Sequence, residues 1–206
     1  MTIQAVVFDI GNVLIEWDPE RFFDSEIGPD RRRAFFAAVD MSGVNERSDM
    51  GEAFHKLMAE TAAAHPDWET EVNIWRDRWI DLASPAIDHS VRLMAALQAR
   101  KVPVFSLSNF GIQTYDIAAA KYPFLRHFDR DFVSGHLRMM KPDPAIYQHL
   151  EQESGIPPDA LLFADDRADN IVAATARGWQ THLFEHPQGW ADCLVSEGLL
   201  TAEEAQ

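Results

Sequence analysis

One cysteine, Cys193, serves the whole chain. No internal disulfide can form, so the fold must rest on its core, and such sparing use of cysteine fits a reducing compartment. On its own the residue reads as a small apolar group, buried or half-buried. Positive charge is also scarce: 18 Lys and Arg face 33 Asp and Glu, for a net charge of −15. That balance argues against nucleic acid or an anionic membrane surface as partner. The acidity is spread along the chain rather than gathered in a tail, and solubility is its plain reading. No run approaches the roughly 18 apolar residues of a membrane helix. Met1-Thr2-Ile3-Gln4 leads into an apolar segment without a basic region before it, so a cytoplasmic location is expected. Repeats and low-complexity stretches are missing. The eight histidines show no metal-ligand spacing, which leaves His55, His89, His127 and His182 as surface or satisfied core residues.

What the chain does have is 206 residues, 47% of them hydrophobic, enough for one core domain and an insertion. Its apolar runs end in polar groups. Val6-Val7-Phe8 delivers Asp9, Val104-Phe105-Ser106-Leu107 delivers Ser108 and Asn109, and Leu161-Leu162-Phe163-Ala164 delivers Asp165 and Asp166. Lys141-Pro142-Asp143-Pro144 places a lysine just before a helix. A single strand-ending Asp often does no more than cap the next turn. Four such clusters imply more, because neighbouring strands of an open parallel sheet converge at their carboxyl ends on one crevice. Three carboxylates gathered there repel each other and any anionic substrate unless a hard cation lies among them. Magnesium is the natural choice. With it, the Lys141 ammonium and the Ser108 hydroxyl form a cradle for phosphoryl oxygens, and Asp9 is placed to attack phosphorus.

Periodicity supplies the organisation. Residues 5–10 read as a strand, and from about residue 16 to 89 the pattern turns helical, with helices expected over 31–39, 51–64 and 68–82, separated by Gly28-Pro29, Ser42-Gly43 and His65-Pro66. From residue 90 helix and strand alternate: helix 91–99, strand 102–108, helix 112–120, strand 131–134, helix 144–152, strand 161–165, helix 169–177 and strand 181–184. The expected fold is α/β, a Rossmann-like doubly wound parallel sheet with an inserted helical cap. Residues 1–15 and 90–206 would form the core and 16–89 the cap. Gly178 is suited to stop the last core helix.

The motifs Phe8-Asp9-Ile10-Gly11-Asn12, Leu107-Ser108-Asn109, Lys141-Pro142-Asp143-Pro144-Ala145-Ile146-Tyr147 and Asp165-Asp166-Arg167-Ala168-Asp169-Asn170, in that order, resemble those of the haloacid dehalogenase superfamily. The resemblance spans nearly the whole chain. Within the superfamily the motifs look most like those of small sugar-phosphate phosphatases of the alpha-glucose-1-phosphate phosphatase type. It implies a magnesium-dependent phosphatase of small phosphorylated metabolites, working through an aspartyl-phosphate. By similarity Asp9 is nucleophile and metal ligand, and the Gly11 carbonyl is a second ligand. Asp166 is then the acidic ligand with Asp165 beside it, and Ser108, Asn109 and Lys141 hold phosphate. Asn170 would hold Lys141 or Asp166, Asp169 and Asn170 would cap their helix, and Gly11 and Asn12 border the substrate.

One departure stands out. Many phosphatases of the superfamily carry an Asp two residues after the nucleophile as general acid, and here that position is Gly11. Its absence implies a slower enzyme, a substitute acid such as Glu16 or Asp18, or a substrate with a good leaving group, of which an anomeric phosphate is one. The 2-haloacid dehalogenases lack that acid as well. They also lack the acidic pair, which this chain keeps. A phospho-accepting receiver domain is a rival of another class, but receivers place the acidic pair before the phosphorylated Asp. Trp17 stands where the chain leaves the core, a position suited to wall the site or to act as a hinge contact. Trp68, Trp75 and Trp79 recur at near-helical spacing and read as a packing face. Arg31-Arg32-Arg33 reads as a solvated helix face.

Overall fold

The computed structural model describes residues 2–206. The chain runs β1 (Ala5–Phe8), β2 (Ile15–Trp17), α1 (Pro19–Ile27), α2 (Pro29–Ala38), α3 (Met41–Asp49), α4 (Phe54–Ala64), α5 (Glu69–Asp77), α6 (Trp79–Leu82) and β3 (Ala83–Ala86). It continues with α7 (Asp88–Ala99), β4 (Val104–Ser108), α8 (Ile112–Lys121), β5 (Arg130–Val133), α9 (Ser134–Leu137) and α10 (Pro144–Ser154). The last elements are β6 (Leu161–Asp165), α11 (Ala168–Ala176), β7 (Gln180–Leu183) and α12 (Pro187–Ser196).

Five strands form one sheet in the order β5-β4-β1-β6-β7, each pair parallel. Strands buried on both faces need unbroken apolar sequence, and β1, β4 and β6 have it, every residue being buried. Alternate side chains face opposite layers. Val6 and Phe8 belong to one core cluster with Leu93, Leu97 and Trp190 of α7 and α12. Ala5 and Val7 belong to another with Ile146, Tyr147 and Leu150 of α10. The doubly wound α/β architecture expected from the periodicity is therefore present.

Between β2 and β3 the chain is helical, and those two strands pair antiparallel. This small sheet was not anticipated, nor were α1, α3 and α12. Helix α1 starts where Asp18 accepts a hydrogen bond from the Arg21 N–H and Pro19 occupies the first turn, a strong start signal. Ser42-Gly43, expected as a break, lies inside α3, because Asp40 caps that helix by accepting from the Gly43 N–H at 2.9 Å. The expected helix over 68–82 divides at Arg78 into α5 and α6. Arg31 pairs with Glu71, Arg32 with Asp24 and Glu20, and Arg33 with Asp30. Among the described residues no helix is long and apolar enough to cross a membrane. Cys193 is half-buried, and burial pushes its thiol up to about 11.

Candidate active site

Register brings the strand ends together. Phe8 pairs with Ser106 on one side and Ala164 on the other, so the residues that follow, Asp9, Ser108 and Asp165, emerge side by side at the carboxyl edge. Asp9 is buried, and its Oδ1 accepts three hydrogen bonds: from the Ile10 N–H at 2.7 Å, the Ser108 hydroxyl at 2.7 Å and the Lys141 ammonium at 2.9 Å. Oδ2 is left as the unengaged oxygen. The Lys141 ammonium, itself buried, also donates to Asp165 Oδ2 at 2.6 Å. Asp165 takes further bonds from the Arg167 N–H at 2.8 Å and from Asn170 Nδ2 at 2.9 and 3.0 Å.

Asp166 is tied differently. Its Oδ2 accepts from Asn12 Nδ2 at 2.9 Å, while Asn12 Oδ1 accepts from the Trp17 N–H at 2.9 Å. Asn12 adopts a left-handed backbone, φ 55°, a conformation asparagine tolerates better than most residues. Beside it, a Cβ on Gly11 would meet nothing within 4 Å.

Oxygens of Asp9, Asp165 and Asp166 lie within 4.8 Å of one another. Lys141 is the one ammonium bonded into this group, so three carboxylates face one cation. Burial raises the Asp9 carboxyl to about 7, helped by the Asp165 charge, against the opposing pull of Lys141 and its hydrogen-bond donors. Burial also raises Asp166. For Lys141 burial acts downward, yet the Asp9 and Asp165 charges prevail and raise it. A divalent cation among hard oxygen donors is the chemistry such a charge excess suits.

Two expected roles change. The Asn109 amide does not face the crevice with free donors: Nδ2 donates to the Lys141 carbonyl and Oδ1 accepts from the Lys141 N–H, both at 2.8 Å. Asn170 holds Asp165 rather than Lys141 or Asp166. Asp169 pairs with Arg167 at 2.7 Å and accepts from the Asn170 N–H at 3.0 Å, while Arg167, just before α11, occupies its N-cap position.

These groups floor a cavity of about 860 Å³ whose other walls come mainly from residues 15–83, including Trp17, Trp75 and Trp79, with Phe110, Met140, Pro142 and Asp143 from the core. Trp75 and Trp79 are buried, in keeping with a packing face, and they also border this space. Of the two acids considered as substitutes for the missing one, Glu16 lines the cavity but pairs with Arg21 at 2.5 Å, and Asp18 caps α1.

Asp49, at the end of α3, went unnoticed in the sequence. It lines the same cavity and is 8% exposed. Asn45 donates to its Oδ2 at 2.9 Å, and the Ser134 hydroxyl donates to its backbone carbonyl at 2.6 Å. Burial, with the Glu46 and Asp9 charges, raises its carboxyl to about 7 against the Gly111 N–H. Glycine makes this seat possible. A Cβ on Gly111 would come within 2.3 Å of Ser48 Oγ, and one on Gly51 within 2.5 Å of the Gly135 carbonyl. In the sequence Asp49 looks like any polar residue near a helix end, and only the close approach of α3 to the core singles it out.

A doubly wound sheet that gathers a buried carboxylate, a buried lysine and an acidic pair at its carboxyl edge is the arrangement of a class of hydrolase. The chain belongs to the haloacid dehalogenase-like hydrolases, whose family model matches residues 3–178. It is 23% identical over 199 residues to a drimenol cyclase, drtB, of Aspergillus calidoustus, covering 88% of this chain and 34% of that protein. The chain thus spans about a third of that relative's length. A sesquiterpene phosphatase, astK, of Aspergillus oryzae is 22% identical, with 86% of this chain and 87% of the relative covered. A D-ribitol-5-phosphate phosphatase of Bacteroides thetaiotaomicron is 19% identical, with 94% and 97% covered. Among solved structures, a haloacid dehalogenase family enzyme of Bacteroides thetaiotaomicron superposes with a TM-score of 0.73 at 21% identity, covering 94% of this chain and 99% of that one. The same enzyme in complex with magnesium and inorganic phosphate gives 0.68 at 20% identity, covering 87% and 93%. The L-2-haloacid dehalogenase of Xanthobacter autotrophicus gives 0.61 at 18% identity, covering 99% and 87%. Fold alone does not separate phosphatase from dehalogenase.

Proposed function

We propose that the protein is a magnesium-dependent phosphatase of small phosphate monoesters. The observation that carries this reading is the charge count at the crevice, three clustered carboxylates against the Lys141 ammonium. Asp9, Asp166 and the Gly11 carbonyl would hold the ion, which when bound neutralises phosphoryl oxygens. A haloacid dehalogenase working without a metal has no use for Asp166, and that residue is the specific argument against the alternative. The relatives named as phosphatases support the same side.

In the first step Asp9 Oδ2 attacks phosphorus, the ester P–O bond breaks and the departing alkoxide takes a proton, leaving an aspartyl-phosphate. Oδ1 stays fixed by Ile10, Ser108 and Lys141, which holds the attacking oxygen in line. Asp49 supplies the proton in place of the acid missing at residue 11, since a carboxyl raised to about 7 remains partly protonated near neutral pH. Water then attacks the phosphorus of the acyl phosphate, Asp9 leaves as carboxylate, and phosphate is released. Residues 16–89 act as the cap, closing over the crevice to exclude bulk water.

The test is a panel of phosphate monoesters, acetyl phosphate and 2-haloacids, assayed with magnesium and with chelator. Phosphate release that chelator abolishes and magnesium restores is expected. Halide release unaffected by chelator overturns the reading.

A further inference from the structure

The cavity above Asp9 has a chemical polarity of its own. Its aromatic residues are in mutual contact and form an unbroken ladder. Phe36 of α2 meets Trp75 at a ring-centroid distance of 6.1 Å, Trp75 meets Trp17 at 6.0 Å, Trp17 meets Trp79 at 5.7 Å, and Trp79 meets Phe110 at 5.5 Å. All five line the cavity, and the buried Val39 extends the surface. Phe110 lies two residues beyond Ser108, and the Trp17 N–H is bonded to Asn12, which holds Asp166, so the ladder borders the phosphate cradle.

Charge is distributed just as unevenly. Among the described lining residues the cations are Lys141 and Arg167, both from the core, whereas residues 16–49 contribute Glu16, Glu20, Asp40, Glu46 and Asp49. Glu16 is paired with Arg21 and Glu20 with Arg32, so a second phosphate or a carboxylate on the substrate would meet carboxylates there and find no unengaged cation. A polyhydroxylated body would find acceptors among these carboxylates, Ser42 and Asn45, but the hydroxyls lying against the aromatic rings would leave their hydrogen bonds unmade.

We propose that the substrate of this site is a monophosphate ester of an uncharged, largely hydrocarbon alcohol, unsaturated or branched, whose body lies along the ladder from Phe110 to Phe36. The assignment rests on the phosphatase reading and deepens it. Aromatic rings beside acids also suit quaternary ammonium groups. Here, however, the rings pack against one another as one wall instead of standing apart around a central cation. The space suits a long body too, since about 860 Å³ falls in the upper part of the range for sites that enclose drug-sized ligands.

The experiment measures kcat and KM, with magnesium, for prenyl monophosphates of increasing length, a hexose monophosphate, phosphocholine and acetyl phosphate. For the prenyl series kcat/KM is expected to climb, by up to about fourfold per methylene that reaches the wall, and to exceed the hexose ester. Phe36→Ala should raise KM for the longest ester roughly tenfold or more and flatten the dependence on length. Phe36→Leu should restore most of it, which separates lost apolar contact from lost folding. Acetyl phosphate carries a single methyl, no body to lie along the ladder, and reports phosphoryl transfer by itself. If it is turned over while prenyl length has no effect, or while the hexose ester or phosphocholine is preferred, the hydrocarbon assignment is overturned and the phosphatase reading stands. If neither it nor any ester is hydrolysed, the phosphatase reading fails first.

Discussion

Asn109 grips the Lys141 peptide from both sides, donating to its carbonyl and accepting from its N–H at 2.8 Å each. The lysine that bridges Asp9 and Asp165 is therefore positioned through its main chain as well as through its ammonium. Asn109→Ala removes both bonds and leaves polar backbone groups without partners, at a cost of about 1–3 kcal/mol. Thermal unfolding should show that loss. Turnover should fall as well, and Asn109→Asp, which keeps one acceptor but no amide donor, should recover only part of it.

Asp9→Asn should abolish turnover, because an amide cannot attack phosphorus. The folded state should survive, since the smaller charge relieves a buried group already raised to about 7. Steady-state assay together with circular dichroism decides the matter. Activity above a few per cent of wild type, in a preparation free of deamidated protein, would remove Asp9 from the role.

Asp165 and Asp166 should behave differently. Asp165 is fully buried and carries bonds from Lys141, Arg167 and Asn170, so Asp165→Ala takes from the buried Lys141 ammonium one of its two carboxylate partners and leaves the other donors unmatched, which should destabilise the fold by roughly 3–5 kcal/mol. Asp166 is partly buried and bonded to Asn12 alone among side chains. Asp166→Ala should leave the melting temperature nearly unchanged without metal, yet weaken magnesium binding and the stabilisation that magnesium confers on the wild type. Titration of melting temperature with magnesium compares the two.

Asp49 has a pH signature. Its folded carboxyl lies near 7 against an ordinary 3.8, so between those values the folded state binds the proton that the unfolded chain has released. Its contribution to stability is therefore full below about pH 4, falls as pH rises towards 7 and levels off above. Asp49→Asn does not titrate there. The stability of that variant relative to wild type should rise across the same window, by at most about 4 kcal/mol. In catalysis the same change should slow esters of ordinary alcohols by on the order of 100-fold while sparing acetyl phosphate, whose leaving group needs no proton. Equal slowing of both would remove Asp49 as proton donor.

The central strands and the polar cluster at their carboxyl edge were readable in the sequence because both rest on local pattern. A strand buried on two faces must be an apolar run, and a polar residue ending it must emerge at the sheet edge. The short strands β2 and β3 escaped notice because they exist only through pairing with each other across more than sixty residues of chain. The tryptophan spacing suggested one helix where Arg78 separates two. At the site, residue type was legible and partner was not: Asn12, Asn109 and Asn170 all belong to it, yet each bonds a group that only three-dimensional packing could specify. Asp49 depended on the same long-range information, the seating of α3 against Gly111 and Gly135.

Strand β1 sits at the middle of the sheet, yet its neighbours are β4 and β6, and Phe8 finds its pairing partners at Ser106 and Ala164. During synthesis the first strand leaves the ribosome long before either neighbour exists. Helices α1 to α6 emerge next, rich in local contacts that form quickly, while the sheet waits on contacts separated by roughly half the chain or more, which form slowly. The strand that carries Asp9 is thus the first made and among the last completed. A chain interrupted before β6 would present an apolar strand with an open edge, the feature most prone to aggregation.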